Sequence, residues 1–257
     1  MTELHWRAAT DAGSYDGTAL ISVGQGAVHL RTDLPAGTLE NAVATLSWPM
    51  AENEKIFMNG YQTWTECPEL PKWGRQRGTD HIPKFLLDKY AFDRYGDYHF
   101  VRYSKRKGMS HGFSYCYFRS GEHYRLVASL DETPGYTIFY YDAKAAVLRI
   151  ERDCAGVCHG GSVFAAFDLF FAEGSEDEVF DAWFAALGCR ARTGRKLAGY
   201  SSWYNRYQDI DEKCILSDLS GCAGVLSEGD VFQIDDGWQV GKSPNSAVAK
   251  GSFKNIW

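Results

Sequence analysis

The sequence lacks any long apolar segment. No window approaches the roughly 18 uninterrupted apolar residues of a membrane-spanning helix, and the N-terminal stretch MTELHWRAATDAG has no apolar core of a secretory signal. The 7 cysteines are odd in number and scattered along the chain, which indicates free thiols rather than a disulfide framework. These absences predict a cytoplasmic protein without a membrane partner.

An excess of positive charge is also missing. The chain has 27 Lys and Arg residues against 33 Asp and Glu residues, which gives a formal net charge of -6. Nucleic acids and anionic membranes require a basic face, so neither is an expected partner. The one tight grouping of metal-ligand types, Cys154, Cys158 and His159, has neither zinc spacing nor a second pair. The sequence therefore predicts no metal site.

Aromatic residues are abundant, at 15% of the chain, and up to about residue 172 the dominant pattern is that of strands. Leu126, Ala128 and Leu130 alternate with their neighbours, and Leu148 and Ile150 do the same further along. Gly, Asp and Pro separate such runs. Many short strands with few helical periods between them predict a mainly β protein that contains a large antiparallel sandwich.

The pattern changes near Ser175. Ser175 and Glu178 have the spacing of a capping box, an apolar helical face follows, and Gly188 has the position of a helix stop. The polar, basic stretch CRARTGRK is interpreted as a linker. A strand, a helix and a second strand follow it, which is the order of a parallel sheet. We therefore predict a sandwich domain over residues 1–190 and a second domain over residues 196–257.

Two acids follow the last predicted strand. The stretch VFQIDDGWQ, residues 231–239, has the pattern of a buried strand that ends in Asp235 and Asp236. The strand before it ends in Trp203, and functional groups of parallel sheets gather at the carboxyl ends of the strands. Adjacent carboxylates suit hydroxyl donors, and an aromatic ring suits the apolar face of a sugar. Two interpretations stay open here: a turn with Asp236 and Gly237 at its tip, or a carbohydrate site.

Four stretches resemble one known family. They are GYSSWYNRYQDI at residues 199–210, VFQIDDGWQ at residues 231–239, NGYQTW at residues 59–64 and AFDLFFAEG at residues 166–174. Together they are similar to glycoside hydrolase family 36, the bacterial α-galactosidases. The resemblance implies an antiparallel β-supersandwich followed by a (β/α)8 barrel. It also implies hydrolysis of terminal α-linked galactose from oligosaccharides with retention of configuration, and neither metal nor organic cofactor.

The resemblance implies binding roles as well. Asp235 and Asp236 match the family's hydroxyl-binding pair and would hold the O4 and O6 side of galactose. Trp203 matches a tryptophan that lines the same pocket, and Trp238 is expected to form a wall beside the acids. Some family members are tetramers in which a sandwich loop reaches a neighbour's active site, and Trp64 is the expected residue for that contact. The expected partners are thus α-galactoside oligosaccharides and, in a homo-oligomer, further copies of the chain.

The chain departs from the family in length. Only residues 197–257 follow the predicted boundary, whereas a (β/α)8 barrel needs about 250 residues. We therefore expect a truncated barrel start, with the catalytic nucleophile and acid/base beyond Trp257. No catalytic residue is assigned within the chain, which is expected to be inactive alone. Two alternatives to the α-galactosidase are a galactosyl-transferring relative and a non-catalytic carbohydrate-binding β-sandwich.

Overall fold

The chain divides into two compact units. The structure is a computed structural model that describes residues 1–61, 65–78, 82–90, 101–189, 194, 196–207 and 209–238. The first unit comprises residues 1–78 and 96–190, and the second comprises residues 79–95 and 191–257. The second unit therefore includes a segment, residues 79–95, that lies inside the predicted sandwich domain.

The first unit is built from strands and one helix. Strands account for 45% of the described residues and helices for 15%, so the described part of the protein is mainly β. The described strands of this unit are β1 Thr2–Thr10, β2 Gly13–Ile21, β3 Gly26–Asp33, β4 Gly37–Ser47, β5 Lys55–Met58, β6 Leu70–Pro71, β7 Met109–Phe113, β8 Tyr115–Ser120, β9 His123–Ser129, β10 Thr137–Asp142, β11 Val147–Arg152, β12 Cys158–His159 and β13 Val163–Gly174.

These strands form two antiparallel sheets. The seven-stranded sheet has the order β2-β1-β4-β11-β10-β7, with β12 paired to β4, and the six-stranded sheet has the order β3-β13-β9-β8-β5-β6. Side chains alternate across each strand because successive residues point to opposite faces. In β1, for example, Leu4, Trp6 and Ala8 are buried while His5 and Arg7 are exposed.

The inner faces of both sheets share one apolar core. Phe118 of β8 and Tyr141 of β10 belong to different sheets, and their ring centroids lie 4.9 Å apart. The buried ring of Trp48 lies 5.8 Å from Phe118 and 6.3 Å from Phe171 of β13. The predicted mainly β class with large antiparallel sheets is confirmed, and the arrangement is compatible with a β-sandwich.

A helix covers part of the outer face of the six-stranded sheet. This helix, α2 at Glu176–Ala186, begins after Ser175, and both hydrogen bonds of the predicted capping box to Glu178 are present. Trp183 is buried, and its indole nitrogen donates a hydrogen bond of 3.0 Å to the carbonyl oxygen of Ser129. Gly188 follows in the left-handed region, with φ of 68°, as its predicted role in ending the helix requires.

The second unit has a different construction. Its described elements are α1 Lys84–Tyr90, β14 Gly199–Ser201, α3 Ser202–Arg206, α4 Glu212–Cys222 and β15 Val231–Gln233. The two strands pair in parallel, in agreement with the predicted strand, helix, strand order. Among the described residues, no helix combines the length and the apolar character that crossing a membrane requires.

Three local predictions in the second unit were wrong. The strand over LAGYSSWY ends at Ser201, and Trp203 lies in α3 instead. Helix α4 begins after Asp211, whose carboxylate accepts from the backbone N–H of Cys214, whereas the sequence favoured Asp209 as the cap. Val231 and Ile234 are 48% and 40% exposed, so β15 is not the buried strand that its apolar residues indicated.

We expect Phe118→Ala to destabilise the first unit by about 3–5 kcal/mol, because it removes a fully buried ring from between the two sheets. Denaturant unfolding measures the loss. The matched control is Phe85→Ala, the same change at a side chain that is 70% exposed, with an expected effect within about 0.5 kcal/mol. Equal effects of the two substitutions would contradict the assignment of Phe118 to the inter-sheet core.

Candidate active site at the strand ends

The candidate site lies where the two parallel strands end. Ser201 of β14 is in register with Gln233 of β15. The residues that follow, Ser202 on one strand and Ile234 and Asp235 on the other, therefore leave the sheet at the same edge. The sequence predicts that the SSWY and IDDGW motifs meet at one edge of a parallel sheet, and the parallel register of β14 and β15 provides such an edge.

A buried hydroxyl joins the two strand ends. The side chain of Ser202 is fully buried, and its Oγ accepts a hydrogen bond of 2.9 Å from the backbone N–H of Asp235. A buried backbone N–H without an acceptor would cost about 1–3 kcal/mol. Ser202 therefore fixes the position at which the acidic pair begins.

The two acids have different surroundings. Asp235 is half-buried, and its carboxylate accepts hydrogen bonds from the backbone N–H of Asp236 at 2.8 Å and from the side-chain amide of Gln233 at 3.1 Å. Asp236 is exposed. Gly237 follows with φ of 110°, a backbone conformation that favours glycine. Asp235 thus shapes a turn, while the carboxylate of Asp236 lies at the surface.

Aromatic residues flank this edge. Trp203 is half-buried, and its ring centroid lies 5.4 Å from that of Tyr207 in an edge-on contact. Tyr207 ends α3 with φ of 52° and ψ of -130°, a rare conformation for a residue other than glycine. Trp238 is 52% exposed. Trp64, the residue expected to reach a neighbour's active site, lies outside the described residues.

Asp218 connects β14 with the two helices that follow it. The hydroxyl of Tyr200 donates to Asp218 Oδ2 at 2.5 Å, and Arg206 Nη2 donates to Asp218 Oδ1 at 2.9 Å. Hydrogen bonds from Arg206 and then from Tyr200 hold the pKa of Asp218 below its ordinary value. Asp218 lies on α4, so this carboxylate links that helix to β14 and to the end of α3.

Sequence reasoning missed Ser202, Arg206 and Asp218. Ser202 lies within the quoted SSWY motif, but nothing in the motif distinguishes its buried hydroxyl from that of Ser201. Arg206 and Asp218 are 12 positions apart, beyond the spacing at which one helix brings side chains together. Only the chain path between β14 and α4 makes them partners.

The described side chains at these strand ends supply hydrogen-bond acceptors and aromatic rings. Carboxylate oxygens accept hydrogen bonds from hydroxyls, and exposed rings offer apolar faces. Within the described ranges, no three His, Cys, Asp or Glu side chains come together as metal ligands. No protein-family model and no curated protein matches this chain.

We expect Ser202→Ala to speed the amide hydrogen exchange of Asp235, because the substitution removes the acceptor of that N–H. Ser201→Ala is the matched control, since the hydroxyl of Ser201 makes no capping hydrogen bond to α3. Exchange at residues 231–238, measured by mass spectrometry, should rise in the first variant and stay unchanged in the second. Equal exchange in both variants would mean that Ser202 does not tie the strand ends.

The Asp218 ion pair predicts a pH dependence. Because folding lowers the pKa of Asp218, its contribution is present above the ordinary carboxyl pKa of about 3.9 and is lost as the pH falls through the folded-state value. The amides of α4 should therefore exchange faster in Asp218→Asn than in the unaltered protein at pH 7, and the difference should shrink as the pH falls through the lowered pKa of Asp218. The control Asp181→Asn, at an exposed position on α2, should leave α4 unchanged at every pH. A difference that persists at low pH would contradict this assignment.

Proposed function

We propose that this chain is the galactose-recognising part of a retaining α-galactosidase. In this proposal the first unit is the N-terminal β-supersandwich, and β14 and β15 are the first strands of a (β/α)8 barrel. The observation that carries the proposal is the hydrogen bond from Asp235 N–H to Ser202, which places the acidic pair beside the end of the neighbouring parallel strand. Ligands of parallel sheets bind at this edge.

The chemistry of the two acids suits a sugar with an axial 4-hydroxyl. Hydrogen bonds to ionised carboxylates are roughly twice as strong as those between neutral groups. Each carboxylate oxygen can accept more than one hydrogen bond, so Asp235 keeps acceptor capacity beyond its bonds to Asp236 and Gln233. An equatorial 4-hydroxyl, as in glucose, would leave an acceptor unmet. Trp203 and Trp238 supply ring surface beside the acids in this proposal.

The acids are assigned to binding and not to bond cleavage. A retaining glycosidase uses two carboxyl groups about 5–5.5 Å apart on opposite sides of the scissile bond. Asp235 is instead held within the turn by Gln233 and by the N–H of Asp236, which suits a group that orients a hydroxyl. The roles of nucleophile and acid/base are assigned to no residue of this chain.

The proposal also covers the substrates, the oligomeric state and the cellular compartment of the enzyme. We propose that its substrates are α-galactoside oligosaccharides. We also propose that it forms a homo-oligomer in which Trp64 reaches the active site of a neighbouring copy. All seven cysteines are free thiols, which supports a reducing compartment such as the cytoplasm.

The direct test is binding of methyl α-galactoside to the chain. We expect saturable binding that methyl α-glucoside does not match, because the 4-hydroxyl differs in orientation between the two sugars. Asp236→Ala should weaken binding by about tenfold or more, since hydrogen bonds to charged groups contribute about 1.5–3 kcal/mol. Asp236→Asn should weaken it less, because the amide still offers an acceptor. Ligand-observed NMR titration measures the affinities.

The matched control is Asp181→Ala, which removes an exposed carboxylate from α2 of the other unit. It should bind as the unaltered chain does. Equal binding of both methyl glycosides, or an Asp236→Ala variant with unchanged affinity, would overturn the proposal and leave the acidic pair as a turn.

A further inference from the structure

The outer face of the seven-stranded sheet contains a groove that is separate from the strand ends. Its volume is about 870 Å³, within the range of about 300–1,000 Å³ for pockets that hold small ligands. The floor crosses strands β2, β1, β4, β11 and β10, which are consecutive in the sheet. At about 4.8 Å between strands, five strands span about 19 Å, so the groove suits an extended ligand.

The register aligns the floor into two rows of side chains that run across the strands. The first row contains Thr18, His5, Thr45, Arg149 and Tyr140. Each of these residues carries a side-chain hydrogen-bonding group. Together they place donors and acceptors at every strand along the groove.

The second row contains Asp16, Arg7, Val43, Glu151 and Ile138. Val43 lies between Arg7 and Glu151, and Ile138 ends the row beyond Glu151. Single apolar side chains interspersed with hydrogen-bonding groups match a sugar ring, which has an apolar face and a rim of hydroxyls.

Each arginine that lines the groove already has a hydrogen-bonding or ionic partner. Arg7 pairs with Asp16 at 2.9 Å, and Arg149 pairs with Glu151. Arg152, the remaining arginine of the lining, donates to the carbonyl oxygens of Ala166, Asp131 and Gly135. The arginines of the described lining are therefore already engaged, and Glu40 and Asp153 add negative charge. Both features disfavour a phosphate or sulfate ligand.

Tyr140 gives the groove an aromatic wall at one end. It is half-buried, and the guanidinium of Arg149 lies 5.5 Å from its ring centroid. Burial, followed by the proximity of Glu151, raises the pKa of Tyr140 to about 12. The phenol therefore stays protonated and can both donate and accept hydrogen bonds.

We propose that this groove binds an uncharged oligosaccharide that lies across the strands from β2 to β10. The mixed donors and acceptors, the internally paired charges and the aromatic end wall carry the assignment. It does not rest on the galactose site, because the groove and the strand ends belong to different units of the chain.

The test uses three neutral probes, maltohexaose, cellohexaose and xylohexaose, none of which contains galactose. Ligand-observed NMR titration of the full chain should show binding of at least one probe. A heparin-derived hexasaccharide of similar length should bind more weakly, because the floor holds excess acid. Asp236→Ala should leave the affinity unchanged, since it alters only the strand-end site.

Two variants locate the binding in the groove. Arg149→Gln should weaken it by about tenfold or more, and Thr45→Val by about threefold or more, because each removes hydrogen-bonding capacity from the floor. Thr45→Val keeps a β-branched residue in β4 and so preserves the strand. The matched control Arg106→Gln changes an exposed arginine outside the groove and should have no effect.

The proposal is overturned if none of the neutral probes binds, if the anionic hexasaccharide binds more tightly, or if both groove variants bind as Arg106→Gln does. Loss of methyl α-galactoside binding alone would count against the strand-end site and would leave the groove assignment intact.

Discussion

The packing of the two antiparallel sheets against each other is the constraint on which the first unit depends. A sheet with one apolar face must bury that face against another layer, and Phe118, Trp48, Phe171 and Tyr141 fill the space between the two. The guanidinium of Arg125 lies over the rings of Trp48 and Phe118 and is paired with Glu54. With the apolar side chains turned inward, alternation sends mostly polar side chains outward, and these line the groove on the seven-stranded sheet.

The strand ends of the second unit depend on smaller, directional interactions. Ser202 accepts the hydrogen bond that positions the backbone of Asp235, and Asp218 accepts hydrogen bonds from both Tyr200 and Arg206. Hydrogen bonds of this kind fix geometry more than they add stability, because each replaces a bond to water. The candidate galactose site and the groove therefore differ in kind: the first is a turn held by a few polar contacts, and the second is the surface of a large, well-packed sheet.

Local patterns were predictable wherever local physics decides the outcome. The capping box at Ser175 and the left-handed Gly188 follow from requirements of a helix's own backbone, and the alternation in β11 follows from strand geometry. In β9 both faces are buried, so its predicted alternation does not separate core from surface. Prediction failed where one chemical type fits two local structures. Trp203 suits a strand or a helix, and it lies in α3. Asp209 and Asp211 can each cap α4, and the backbone path selects Asp211.

The sequence by itself determined the mainly β class and the helix after residue 175, because each depends on periodicity or on residues close together in the chain. Tertiary structure alone decided the pairing order of the strands, the contact of Ser202 with Asp235 and the alignment of His5, Thr45 and Arg149 across three strands. These features join residues far apart in sequence, and strand register sets them. Register depends on the summed packing of whole strands and not on any single residue.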